Sequence, residues 1–179
     1  MAMQFSCVVL LWVGLFLLND WLFDQFEFSE HVSWIFLPAA LRMIAVLVMG
    51  WVDVAGIFVG SIVTSVYVMG QIDPSHVLIV SALSALSPTL ALLLCAHGFG
   101  VQANLVGLSA SKLLILGVVA ASFTAVLHNI HFFLSGQVDV FSESLIAMFV
   151  GDLTGTLVVL YGAKALLMAL PLSNTSRSA

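Results

Sequence analysis

The chain has 179 residues, 62% of them apolar and 7% charged, with a formal net charge of -5 and a mean hydropathy of +1.21. Soluble domains carry about 25% charged residues, so this composition excludes a soluble catalytic domain of ordinary size and predicts an integral, all-α membrane bundle. Four Lys and Arg residues in all cannot build a phosphate-binding face, which excludes nucleic acid as a partner.

The apolar runs approach or exceed the ~20 residues that a helix needs to cross a bilayer. Residues 5–23 form the first. No basic segment precedes it and Asn19, Asp20 and Trp21 stand where a cleavage site would be, so it is read as a retained span rather than a signal peptide. Residues 24–33 form an acidic loop or short interfacial helix, with Phe26 and Phe28 dipping into the headgroup layer. Residues 34–70 are apolar almost throughout. They are too long for one span and sufficient for two of roughly 25 Å each, with a break at Gly50, Trp51, Val52 and Asp53. Asp53 at that turn is placed to cap a helix.

Gly56 and Gly60 follow as a GxxxG with Ser61, a spacing that lets helix backbones approach closely. Pro74 starts a fourth span over residues 76–95. Pro88 inside it predicts a kink, with Ser84 and Ser87 near the freed backbone groups. Residues 96–111 are a loop rich in Gly, Asn and Ser, residues 112–134 a fifth span, and residues 144–170 a sixth. The expected organisation is one membrane domain over residues 1–171 and a polar cytoplasmic tail over residues 172–179. A five-span arrangement, with one span and a re-entrant piece in residues 34–70, is the alternative.

Six spans place both termini on one side. Lys112, Lys164 and Arg177 then fall near the cytoplasm, while Asp24, Glu27, Glu30, Asp73, Asp139 and Glu143 fall outside, as the positive-inside rule requires. Trp12, Trp21, Trp34 and Trp51 include interface anchors. Cys7 and Cys95 lack CxxC spacing and read as small buried thiols.

An ionisable side chain inside a span is costly and marks a site or a partner. Arg42 lies eight residues past Trp34, and Asp152 eight residues past Ser144. Both spans start from the same side, so both charges lie about 12 Å deep and are expected to pair. The pair is either a structural bridge or a binding and switching site. In a third arrangement Arg42 binds an anion that Asp152 orients. His128, Asn129 and His131 form a second polar cluster. The two histidines share a helix face, one expected to hydrogen-bond inside the bundle and the other to sit at the interface. His31, His76 and His97 are expected to be solvated. No metal-site spacing, cofactor motif or nucleophile–base motif is present, so neither a metal, a cofactor nor an enzyme is expected.

Phe36-Leu37-Pro38-Ala39-Ala40, leading to Ala55-Gly56-Ile57-Phe58-Val59-Gly60-Ser61, resembles the paired early helices of the bacterial membrane-associated sensor (MASE-type) domain. Phe149-Val150-Gly151-Asp152, followed by Gly155 and Leu157, resembles that family's late helix, where a Gly-Asp-x-x-Gly pattern recurs. Residues 82–98 fit in hydropathy, and the resemblance covers most of residues 34–167. It implies a sensory domain of the bacterial inner membrane, of the kind that feeds diguanylate cyclases or histidine kinases. This chain has about six spans where the family tends to have more, and no effector follows Pro171 in it. A signal would therefore pass to a separate partner.

Two other classes fit the composition. One is the substrate-binding component of a vitamin-type transporter, docking to an energising module through Gly56, Gly60, Ala82 and Ala85. The other is a membrane scaffold without a ligand. The sequence leaves the oligomeric state, a homo-oligomer included, open.

Overall fold

The structure, a computed structural model, describes residues 1–29, 32–48, 50–100 and 109–169. The polar tail expected over residues 172–179, Arg177, Glu30 and His31 lie outside the described residues. Within them the chain is all-α apart from one small hairpin. Its elements are α1 (Ala2–Phe23), a 3-10 turn (Asp24–Phe26), β1 (Glu27–Ser29), β2 (Val32–Ser33), α2 (Pro38–Val48), α3 (Trp51–Tyr67), α4 (Pro74–Phe99), α5 (Ala110–Leu134) and α6 (Phe141–Ala169). Four helices, α1, α4, α5 and α6, are long and apolar enough to cross a membrane.

Local chemistry sets the boundaries. Gly50, at φ +71°, turns α2 into α3. The Asp73 carboxylate accepts from the Ser75 hydroxyl at 2.7 Å and from the Ser75 N–H at 3.0 Å, and Pro74 opens α4. Those two bonds, the hydroxyl's first, hold the Asp73 carboxyl below its ordinary range. Gly100 ends α4 in the left-handed region, and Ser109 caps α5 through the Lys112 N–H. Asp53 does not cap. It lies in the first turn of α3, fully buried, and neither carboxylate oxygen has a hydrogen-bond partner among the described residues. Gly50 takes the cap position without a side-chain bond. Pro88 sits in continuous helix, where Ser87 donates to the Leu83 carbonyl at 2.6 Å, while the Ser84 hydroxyl turns to α5 instead.

Three apolar clusters stack along the bundle. The first joins Met43 and Leu47 of α2 to Leu92 and Cys95 of α4 and Leu116 of α5. The middle one joins Val8 and Trp12 of α1 to Ala45, Ile57 and Ala85. The last joins Val32 to Ala125, Phe132, Val138 and Ala147. Cys7, expected to be buried, is exposed on α1. Trp12 is core rather than anchor, whereas Trp21 and Trp51 are largely exposed at opposite ends.

The buried residues of α3 are Asp53, Gly56, Ile57, Gly60, Ser61, Thr64 and Ser65, one helical stripe at alternating spacings of three and one. Apart from Ile57 the stripe is small and polar, and the other apolar residues of α3 are half-buried or exposed. Gly56 lies against Val8 and Gly60 against Trp12, so α1 and α3 run parallel at close approach; a Cβ at either glycine would come within 2.9 Å of those side chains.

The second apolar stretch departs from expectation. α2 has only 11 residues, about 16 Å at the helical rise, too short to cross a bilayer as a helix. Residues 34–36 before it are extended and run along α6. Buried backbone needs partners, and each of these groups has one. The N–H groups of Trp34, Ile35, Phe36 and Leu37 donate to Phe26 O, Ser33 Oγ, Gly151 O and Asn19 Oδ1. Their carbonyls accept from Thr154 Oγ1, Ser33 Oγ, Ala39 N and Ala40 N.

Gly151 and Gly155 make this possible. A Cβ on Gly151 would overlap the Ser33 carbonyl oxygen, and one on Gly155 the Phe36 carbonyl. The glycines thus admit an extended backbone, not a neighbouring helix. Gly151→Ala and Gly155→Ala should each destabilise by about 1–3 kcal/mol or more, the cost of overpacking. Gly162→Ala, on the same helix with nothing within 4 Å, should be neutral or gain up to ~1 kcal/mol. Thermal unfolding in detergent distinguishes them; equal midpoints for all three would refute the packing role.

Candidate functional site

The extended stretch delivers Arg42, in the second turn of α2, to the level of Asp152 on α6. Arg42 Nη2 donates to Asp152 Oδ1 at 2.6 Å, and the two residues are 4% and 3% exposed. Burial on this scale is affordable for a charge only when it is paired and hydrogen-bonded. Aromatic faces add to it. The guanidinium carbon lies 5.2 Å from the Phe36 ring centroid and 6.0 Å from that of Trp12, within cation–π range. Trp12 is fixed by its indole N–H on Thr64 Oγ1 at 3.2 Å. One ion pair therefore ties α2 to α6 and is roofed by side chains of α1 and the extended stretch.

His128 of α5 approaches from the other side. Its Nδ1 lies 3.0 Å from the Thr124 carbonyl and its Nε2 3.2 Å from the Ser84 hydroxyl. A carbonyl only accepts, so Nδ1 carries a proton. The His128, Asn129 and His131 cluster does not stay together. Asn129 turns to α6, donating to Ala125 O at 2.8 Å and reaching the Met148 sulfur at 3.5 Å. His131 stacks on His76 of α4, with ring centroids 5.0 Å apart and Nε2 to Nδ1 at 3.0 Å. Gln137 Nε2 lies 3.2 Å from the same His76 nitrogen. His76 is 5% exposed, not solvated as expected, because α5 covers it with a second imidazole. His97 is exposed. No three potential metal ligands group together among the described residues.

Between these groups lies a cavity of about 120 Å³, counted over positions that a water centre can occupy. One water needs roughly 10–15 Å³ on that measure, so the space holds several waters or a small molecule. Arg42, Asp152, His128, Ser84 and Thr124 form its floor. Trp12, Phe16, Phe36 and Phe132 form apolar walls, and Ser61, Thr64 and Ser65 of α3 a hydroxyl wall. Asp20, Asp24, Glu27, Gln71 and His76 lie toward the mouth. Of the four lining carboxylates, Asp152 is paired with Arg42, while Asp20, Asp24 and Glu27 are exposed residues that make the mouth acidic.

Sequence reasoning reached the floor and missed the walls and mouth. The signal for the hydroxyl wall was present. Ser61, Thr64 and Ser65 continue the stripe of Gly56 and Gly60 at helical spacing, and polar residues on a stripe of close packing face inward in a membrane helix. Nothing local marked Asn19 as inward-facing or Asp20 as lining the mouth.

Loss of one partner of a buried pair strands the other charge, at a cost of about 3–5 kcal/mol. Arg42→Met and Asp152→Leu should each lower the unfolding midpoint sharply, while the double substitution should recover most of the loss. Additive single effects in a double-mutant cycle would show that the pair is not coupled. No family model, curated protein or solved structure matches this chain.

Proposed function

We propose that this chain is a sensory protein of the bacterial inner membrane, resembling the MASE-type domain, that binds a small molecule in the cavity and passes the change to a separate signalling partner. The observation that carries this reading is the ion pair at the cavity floor. Arg42 and Asp152 are the only link of opposite charges between α2 and α6 among the described residues, and both line the space that a ligand would fill. A ligand that interacts differently with the paired and separated states shifts their populations. The shift would be felt by α6. That helix has 29 residues, about 44 Å, and residues 161–166 are exposed one after another, so its final turns extend past its neighbours.

In this reading the membrane is crossed six times. α1, α3, α4, α5 and α6 each cross as helices, and the extended stretch with α2 crosses as a composite. Lys164 and the start of α5 near Lys112 lie at the end of the bundle where α1 begins. Asp20, Asp24, Asp73, Asp139 and Glu143 lie at the opposite end. The positive-inside rule then puts the N-terminus in the cytoplasm and the cavity mouth outside. α3, with 17 residues or about 26 Å, spans with slight local thinning.

The cavity is also what a solute-binding transporter subunit would need. Most of the surface expected to dock such a subunit, however, is used internally: Gly56 and Gly60 are covered by α1 and Ala85 is buried, with Ala82 half-buried. A scaffold has no use for a cavity floored by buried charge.

Purification in native lipid with mass spectrometry of what accompanies the chain tests the choice. A histidine kinase or diguanylate cyclase is expected. An energising membrane protein with ATPases would overturn sensing in favour of transport. A reporter fused after Ala179 should be active only as a cytoplasmic fusion; a periplasmic signal would sink the six-crossing arrangement.

A further inference from the structure

We infer that the cavity takes a small zwitterion whose charges are well separated, an ω-amino carboxylate in class, with its anionic head on Arg42 and its cationic group between Asp20 and Asp24. The inference rests on the ligand-binding reading above and adds the chemistry of the ligand.

The floor is rich in uncommitted donors. A guanidinium carries five N–H groups, and Arg42 gives one to Asp152; no other hydrogen-bond partner for it is found among the described residues. Arg42 is 4% exposed and lines the cavity, so its remaining donors are inside the protein and next to open space. Ser61 and Ser65 are in the same position. They are 3% and 4% exposed, they line the cavity, and their hydroxyls have no partner among the described residues. These donors face the open space of the cavity, where water or the polar head of a ligand can meet them. A carboxylate answers them, because it accepts from a guanidinium in a bidentate fork and has oxygen lone pairs left for hydroxyls.

The mouth has the opposite preference. Asp20, Asp24 and Glu27 line the way in, so a simple anion would have to pass three carboxylates before reaching Arg42. A simple cation would be drawn to the mouth and leave the floor unsatisfied. A molecule carrying both charges matches both ends. α1 gives the scale: Trp12 lies over Arg42, and Asp20 is eight residues further along the same helix, about 12 Å at the helical rise. An α-amino acid holds both charges on one carbon and spans too little. A chain of several methylenes between the charges would lie against Phe16 and Phe36, apolar walls of the same cavity.

The test uses the full chain in lipid nanodiscs and isothermal titration with 6-aminohexanoate, hexanoate, hexylamine and glycine. 6-Aminohexanoate should bind at least tenfold more tightly than any of the other three. Asp20→Asn with Asp24→Asn, both exposed positions, should reduce the advantage over hexanoate to less than threefold while hexanoate binding persists. Ser61→Ala with Ser65→Ala should weaken 6-aminohexanoate and hexanoate alike and leave hexylamine unchanged. Hexanoate or hexylamine binding as tightly as 6-aminohexanoate would overturn the zwitterion. If none binds but the purified chain carries a small molecule of another class, the zwitterion fails and the ligand-binding reading stands. If none binds and nothing is carried, both fail.

Discussion

The eight backbone N–H and C=O groups of Trp34 to Leu37 lie against the middle of α6 without forming helix or sheet. In hydrocarbon such groups have no water to turn to, and irregular backbone survives there only where protein satisfies it. The surrounding sequence follows from that constraint. Asn19 of α1 and Thr154 of α6 supply side-chain partners, and the Gly151 carbonyl receives the Phe36 N–H. Gly151 and Gly155 remove the Cβ atoms that would stand where the Ser33 and Phe36 carbonyls lie. With the stretch seated, α2 begins at Pro38, half-way through the bundle, and its second turn presents Arg42 to Asp152. The ion pair and the cavity above it are thus consequences of how an extended backbone is accommodated.

α3 solves the complementary problem. Apart from Ile57, its buried stripe is small and polar while its other apolar residues are less buried, the reverse of a helix on a soluble protein. Small residues at the start of the stripe let α1 lie close, and hydroxyls further along line the cavity. The change from Gly56 and Gly60 to Ser61, Thr64 and Ser65 marks where close packing gives way to open space. Asp53 begins the same stripe.

Much of this was legible in the sequence, for physical reasons. Long apolar runs fix the helical class, and unpaired charges in them demand partners, which is why the depths of Arg42 and Asp152 could be matched by counting residues. Gly50 as the break between α2 and α3 follows from the same counting. The extended stretch was not legible. Trp34, Ile35 and Phe36 are as apolar as any helix interior, and their conformation depends on Gly151 and Thr154, more than a hundred residues away. The hairpin of Glu27–Ser29 with Val32–Ser33 was hidden likewise, since an acidic, Phe-containing stretch reads equally as a loop. His76 was misjudged because solvation was inferred from its place near a turn, whereas the stacking of His131 depends on how α4 and α5 pack. The pattern Gly-Asp-x-x-Gly was visible; that its glycines receive backbone rather than a helix was not.

The wiring of the extended stretch also bears on how the protein is made. Asn19 leaves the ribosome before Leu37 and can meet it early. The Gly151 carbonyl, Thr154 and Asp152 belong to α6, and Arg42 and its carboxylate stand 110 positions apart in the chain. Until α6 arrives, α2 and the stretch before it have neither their charge partner nor a full set of backbone partners, and hydrocarbon would offer no substitutes. Insertion in simple N-to-C order would strand them. The stretch is fully satisfied only once α6 is in place and the bundle has closed around it. A helix made more than a hundred residues later therefore completes the setting of Arg42 and the stretch before it.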